Sequence, residues 1–320
     1  MRSKMTVLMY HRVLEDAECI DYPFPSLVIP RSLFEAQVDW LAERMEVLPV
    51  SDALARMHDP SGRSKPVVCL TFDDGYVDNF ELVAPVLEAR GLRGTFFITA
   101  GAVQTRAQLW YDRAAAIWAA LGREEVRRLV VEGGDGDFPD FSTREAWIEW
   151  LKSLSDHRRT SLVSTLANGA AEGDAPCLLM TPEQVRQLAE RGHEVGSHTL
   201  SHPILPSMEA EQRRAEIEVA RRLLQEWTKQ DVAGFCYPNG DFDADVIRAL
   251  QDAGHRYACT TRPGRNGGAT DPFQLRRIDI TPDRIAAPDG RFDSLGFRAE
   301  LSLFREGLRR TAQLGRKRGR

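Results

Sequence analysis

Eight short segments of this 320-residue chain are apolar on both faces, which leaves few folds open. They are Thr6–Tyr10, Val47–Val50, Val67–Phe72, Thr95–Ile98, Glu194–Ser197, Val232–Cys236, Tyr257–Thr260 and Leu275–Ile280. Strands of that kind need cover on both sides, as in a parallel sheet wrapped by helices. Helix patterns fill the gaps between them. Thr181-Pro182-Glu183-Gln184 offers a capping Thr, a Pro at the first helical position and a Gln able to close a capping box. Val185, Leu188 and Ala189 follow on one face, and Gly192 ends the helix. Asp243 to Ala253 repeats the scheme, with Val246, Ile247 and Leu250 inward and Gly254 as the stop. Strand and helix in alternation predict an α/β fold whose parallel sheet closes as a barrel.

One stretch breaks the rhythm. From about Gln104 to Asp174 the pattern is helical, anchored by Trp110, Ile117, Trp118, Trp147, Trp150 and Leu151. Gly133–Asp137 and Asn168–Asp174 read as connectors within it. The Gly-rich one lacks both the Lys-Ser/Thr of a phosphate cradle and the ligand spacing of a calcium loop. The expected organisation is a barrel over 1–300, interrupted by a helical insertion at about 104–176, with a basic tail over 301–320. That tail holds seven basic residues and one Glu from Arg305 to Arg320, although the whole chain has a formal charge of −5. It suits contact with an anionic membrane face. No basic stripe interleaved with aromatics lies in the remainder, so a nucleic-acid partner is not expected. Five cysteines at irregular spacing, without a CxxC, point away from a thiolate zinc site and fit a reducing compartment. The opening MRSKMTVLMYHRV carries about five apolar residues before His11, short of the roughly 7–15 of a secretory signal. A cytoplasmic location, with the tail at the inner membrane face, is the expectation.

Two motifs carry chemistry. Val67–Phe72 runs straight into Asp73-Asp74-Gly75. An Asp-Gly after a strand is ordinary turn chemistry, but two adjacent carboxylates repel unless a cation or a proton compensates. The carboxyl end of a barrel strand is also where active sites sit. The second motif, His198-Thr199-Leu200-Ser201-His202, follows strand Glu194–Ser197 and so belongs on the same rim. Its imidazoles share one face if the segment is helical. Two His and one carboxylate leave a coordination position open, the arrangement of a catalytic ion.

Thr71-Phe72-Asp73-Asp74-Gly75 with His198–His202 resembles the NodB-type polysaccharide deacetylases, carbohydrate esterase family 4. The resemblance implies a distorted (β/α)7–8 barrel and hydrolysis of an N-acetyl group on an amino sugar of a polysaccharide or glycan precursor. It makes Asp73 the general base, and Asp74, His198 and His202 the ligands of one divalent ion. Zn2+ is the first choice for such a set, with Co2+, Ni2+ and Mn2+ also accepted. The family's Arg-x-Pro-Tyr motif is replaced here by Cys236-Tyr237-Pro238-Asn239-Gly240. The cation that steadies the base must then come from elsewhere, and Arg277 is the candidate. Asn239 and Tyr237 are left as the oxyanion and substrate residues, through a backbone N–H. The family's late acid histidine has no counterpart, because no histidine follows His255. His11, at the end of the first strand, is similar to the N-terminal acid histidine of the branch acting on exopolysaccharides such as poly-N-acetylglucosamine. An O-acetyl esterase, a deformylase and a silent glycan-binding module on the same scaffold are the alternatives.

Overall fold

A computed structural model describes residues 4–20, 22, 24–57, 65–132, 141–169 and 177–303. From the N-terminus the chain runs β1 (Met5–Tyr10), β2 (Arg12–Leu14), β3 (Val28–Pro30), α1 (Arg31–Arg44), β4 (Glu46–Val47) and α2 (Val50–Met57). Then come β5 (Val67–Phe72), α3 (Ala84–Glu88), β6 (Thr95–Ile98) and α4 (Ala100–Thr105). Three helices follow, α5 (Trp110–Glu132), α6 (Arg144–Ser153) and α7 (Asp156–Gly169), before α8 (Pro182–Glu190) and β7 (Glu194–Ser197). The remainder is α9 (Ala210–Thr228), β8 (Gly234–Cys236), α10 (Ala244–Asp252), β9 (Tyr257–Pro263), β10 (Leu275–Asp279), α11 (Pro282–Ile285) and α12 (Ser294–Leu301).

Strands β1, β5, β6, β7, β8, β9 and β10 pair in parallel, and β10 returns to β1, closing a seven-strand barrel. The closure follows from the sequence: every residue of β1, β5 and β6 is buried, so neither face tolerates water. Register divides the faces. Val7 pairs with Cys69, Phe97 with Gly196 and Cys236 with Cys259. Met5, Val7, Cys69, Phe97, Cys236, Cys259 and Leu275 form one buried cluster, the barrel interior. The alternate residues Leu8, Leu70, Phe72, Phe96 and Ile98 pack outward beneath the helices. Helix α2 closes the N-terminal mouth: Val50 and Ala53 join the interior cluster, and the Val50 N–H donates to Thr95 Oγ1 at 3.0 Å.

Helix ends follow their caps. Thr181 and Gln184 form the reciprocal capping box of α8, and Asp243 accepts from the Val246 N–H at the start of α10. One expected strand is corrected. Val47–Val50 ends at Val47, because Pro49 has no N–H to pair and its carbonyl instead accepts from Ala53, opening α2. The β2–β3 pair, outside the barrel, was not expected.

Helices α5–α7 lie between β6 and β7 and share a core around Trp147, fully buried and stacked on Trp118 and Trp150. Truncating a core Trp of this kind costs about 3–5 kcal/mol. The connector at Gly133–Asp137 lies outside the described residues, as do all but the first two residues of Asn168–Asp174 and the tail beyond Leu303. Among the described residues no helix is long and apolar enough to cross a membrane.

Candidate active site

Side chains on a strand alternate faces, so each inward-facing row can be followed past its strand end. Met5, Val7 and Met9 lead to His11; Val67, Cys69 and Thr71 lead to Asp73; Glu194 and Gly196 lead to His198; Leu275 leads to Arg277. In a parallel barrel these rows emerge at one mouth. There His11, Asp73, Asp74, His198, His202 and Asn239 line a cleft of about 360 Å³.

Asp74 turns sharply out of the strand at φ +77°, a left-handed conformation uncommon for a non-glycine residue. Gly75 continues the turn at φ +92°. The turn carries the Asp74 carboxylate to His198 Nε2 at 3.4 Å and His202 Nε2 at 3.6 Å. The two imidazoles cross at 79° with centroids 4.8 Å apart. His198 Nδ1 donates to the Cys236 carbonyl at 2.7 Å, which aims Nε2 at Asp74. Both Asp74 oxygens are buried without a hydrogen-bond partner. A carboxylate in that state is costly unless a cation meets it, so these three groups fit a divalent ion. Burial pushes Asp74 up, but His198, His11 and His202 outweigh it and hold the carboxyl well below its usual range. Burial, reinforced by His198, pushes His202 down to about 3, so it is a neutral donor. His198 is pushed up, against burial, by Cys236 and Asp74, so a proton and a cation compete for its Nε2.

The His198–His202 segment is not the helix that would have put both rings on one face. It is a turn, with Thr199 at φ +68° and His202 at φ +61°. The His202 N–H donates to Thr199 Oγ1 at 3.0 Å, and Glu216 of α9 accepts from the Leu200 and Ser201 N–H groups at 2.8 and 3.0 Å. Helix α4 approaches the same turn so closely that a Cβ on Gly101 would lie 2.8 Å from the Leu200 carbonyl oxygen. The start of α5 supports it from outside: Trp110 Nε1 donates to the His202 carbonyl at 3.3 Å, and the Tyr111 ring packs on His202 at 5.2 Å.

Asp73 faces the barrel axis and is gripped by Arg277. Nη1 and Nη2 each lie 2.7 Å from one carboxylate oxygen, a bidentate pair with both side chains buried. Arg277 is itself fixed by the Thr260 carbonyl at 2.9 Å and Thr71 Oγ1 at 3.1 Å. Burial raises Asp73, but the guanidinium outweighs it and keeps the carboxyl below its usual range. Cys236 Sγ lies 3.0 Å from Arg277 Nη2 and 3.5 Å from Asp73 Oδ2.

With this geometry established, the comparisons are specific. Residues 61–136 and 141–258 match the profile of the family described as Polysaccharide deacetylase. This chain belongs to that family. Over 291 residues it is 21% identical to YxkH of Bacillus subtilis (strain 168), a protein named for polysaccharide deacetylation, covering 91% of this chain and 76% of that one. The Streptococcus pyogenes deacetylase PplD, solved in complex with acetate, superposes with a TM-score of 0.61 at 17% identity, over 91% of this chain and 97% of its own. IcaB from Ammonifex degensii gives a TM-score of 0.56 at 21% identity, over 88% and 93%. At these identities the solved structures speak for the fold.

On this deacetylase fold the expected residues meet, with one exception. His11, Asp73, Asp74, His198, His202 and Arg277 converge, and Asn239 lines the cleft at φ +55°. Tyr237 also lines it, but neither of its donors is free for an oxyanion. Its N–H donates to the Cys259 carbonyl at 3.2 Å and its hydroxyl to the Phe273 carbonyl at 2.9 Å. Its part in the oxyanion site is withdrawn, and Asn239 remains. The sequence reading missed the cleft wall supplied by α6, where Glu145, Ile148, Glu149 and Lys152 face inward. Their spacing, i, i+3, i+4 and i+7, is one helix face, and that was the available signal.

Proposed function

We propose that this deacetylase-family chain is a metal-dependent N-deacetylase that releases acetate from acetamido sugars of a glycan or glycan precursor. The observation that carries the reading is a buried, unpartnered Asp74 carboxylate between two imidazoles, beside the Arg277-gripped carboxylate of Asp73. Asp74, His198 and His202 would hold one divalent ion, Zn2+ first among those that such donors accept. When bound, the ion supplies positive charge that eases deprotonation of a water and polarises the acetyl carbonyl.

The protein's own groups supply the rest. Asp73, kept ionised by Arg277, takes the proton of the attacking water. Asn239, in its left-handed turn, offers a backbone N–H toward the oxygen on which charge develops. The C–N bond does not break to release an amide anion, so the nitrogen must gain a proton, and His11 stands in the cleft to give it. That favours an amide over an O-acetyl ester, whose leaving oxygen needs an acid less. A de-N-acetylase from Aggregatibacter actinomycetemcomitans is among the similar folds, with a TM-score of 0.61 at 16% identity over 93% of this chain and all of its own, which is consistent with the reading.

The test is acetate release from short N-acetylglucosamine oligomers and from an O-acetylated sugar, by the wild type and Asp74→Ala. Release from the N-acetyl substrate that disappears in the variant supports the proposal. Release from the O-acetyl sugar alone, or full activity in the variant, overturns it.

A further inference from the structure

His11 lies in a gap between β1, which belongs to the barrel, and β2, which leaves it to pair with β3. The ladder's last bond runs from the Asp73 N–H to the Tyr10 carbonyl at 3.0 Å, and among the described residues none continues on the C-terminal side of His11, yet its side chain has to point into the cleft. The residues that hold its C-terminal side come from the start of the helical segment that follows Asp73-Asp74-Gly75 and leads into α3. Asn79 Nδ2 donates to the His11 carbonyl at 2.8 Å and reaches Asp78 Oδ2 at 3.2 Å. The same Asp78 oxygen accepts the Val13 N–H at 2.9 Å. Asp78 Oδ1 accepts Arg12 Nε at 2.8 Å and Nη2 at 2.7 Å. The Arg12 guanidinium lies between the rings of Tyr22 and Tyr76, 4.9 and 4.7 Å from their centroids. Arg12, Asp78 and Asn79 are 5%, 4% and 0% exposed.

We infer that Asn79, Asp78 and Arg12 are positioning residues that aim His11 at the leaving nitrogen. The inference rests on the reading of His11 as proton donor. A buried ion pair adds little stability over apolar residues of the same size, because desolvating both charges offsets their attraction. What this one provides is geometry. Together with Asn79 it holds the His11 carbonyl and the two residues that follow, the Arg12 side chain and the Val13 N–H, leaving the imidazole as the projecting group. It also ties the donor to the loop that carries the base and the Asp74 ligand, so the groups acting on opposite sides of the scissile bond share one frame. Proton transfer tolerates little misplacement: a shift of about 1 Å costs on the order of 100-fold in rate.

The readout is the ratio of acetamide cleavage to aryl-acetate cleavage, since an aryl oxide leaves without a proton and an amine does not. His11→Ala is the reference and lowers this ratio. Asn79→Ala is expected to lower it on the order of 10–100-fold, with bound metal retained. Arg12→Lys keeps a charge beside Asp78 but loses the two-pronged grip; it lowers the ratio less, and it carries the comparison if Asn79→Ala does not fold. If both variants slow the two substrates equally, or neither changes the ratio while His11→Ala does, the positioning role is overturned and the deacetylase reading stands. If His11→Ala itself leaves the ratio unchanged, the proton-donor reading fails first.

Discussion

Replacing Arg277 by Met separates what the guanidinium does for stability from what it does for chemistry. The Asp73 and Arg277 side chains are 3% and 1% exposed, so Met leaves a buried carboxylate without its two 2.7 Å partners. Breaking a buried pair from one side costs about 3–5 kcal/mol, a large share of the roughly 5–15 kcal/mol that holds a protein folded. The sign with pH follows from the direction of each shift. In the wild type the Asp73 pKa is lowered, so its contribution is present above the ordinary carboxylate value and is lost as pH falls through the lowered one. In Arg277→Met burial acts without that opposition, and protonating Asp73 relieves the penalty. The stability gap between wild type and variant is therefore widest near about pH 7 and narrows toward about pH 4. Urea unfolding across that range measures it. Adding Asp73→Asn to Arg277→Met should recover part of the loss, as a charge-specific coupling requires. The acidic limb of kcat/KM should also move to higher pH in Arg277→Met. An equal stability loss at every pH, no recovery in the double variant and an unmoved acidic limb would refute the reasoning.

Two further outcomes are expected. Tyr76 Oη donates to Asp112 Oδ2 at 2.9 Å, and burial pushes Asp112 up to about 7. An acid raised on folding destabilises increasingly as pH climbs from the ordinary carboxylate value to its folded one, so Asp112→Asn should raise Tm near about pH 7 and change it little near about pH 4; an equal change at both would contradict this. Glu145→Gln with Glu149→Gln, on the α6 wall of the cleft, should raise KM for glycan oligomers more than it lowers kcat, read from steady-state kinetics. A fall in kcat at fixed KM would place those residues elsewhere in the reaction.

Much of the site was legible because strand chemistry is local. Buried strands announce themselves by apolar runs, and period-2 alternation then determines which residue faces the barrel mouth one or two positions on. That is how Asp73 and His11 could be placed from the sequence. Arg277 obeys the same rule, two residues after the inward Leu275, but its pairing with a carboxylate 204 residues away has no local signature. The His198–His202 turn was legible in composition and not in conformation. Its positive φ angles are imposed by Glu216 and α4, tertiary contacts that override the helical spacing. Tyr237 shows the limit in the other direction, since a residue can reach the cleft with its donors already committed to the Cys259 carbonyl of β9 and the Phe273 carbonyl in the turn before β10. The α6 wall stayed hidden because helix periodicity gives a face without saying what lies opposite.

The central claim is that Asp74, His198 and His202 hold one ion on which turnover depends, and elemental analysis beside acetate release tests it most directly. The account predicts about one divalent ion per chain in the purified wild type and far less in Asp74→Asn and His202→Ala, with activity removed by a chelator and restored by adding the metal. Undiminished acetate release from protein stripped of metal would contradict it.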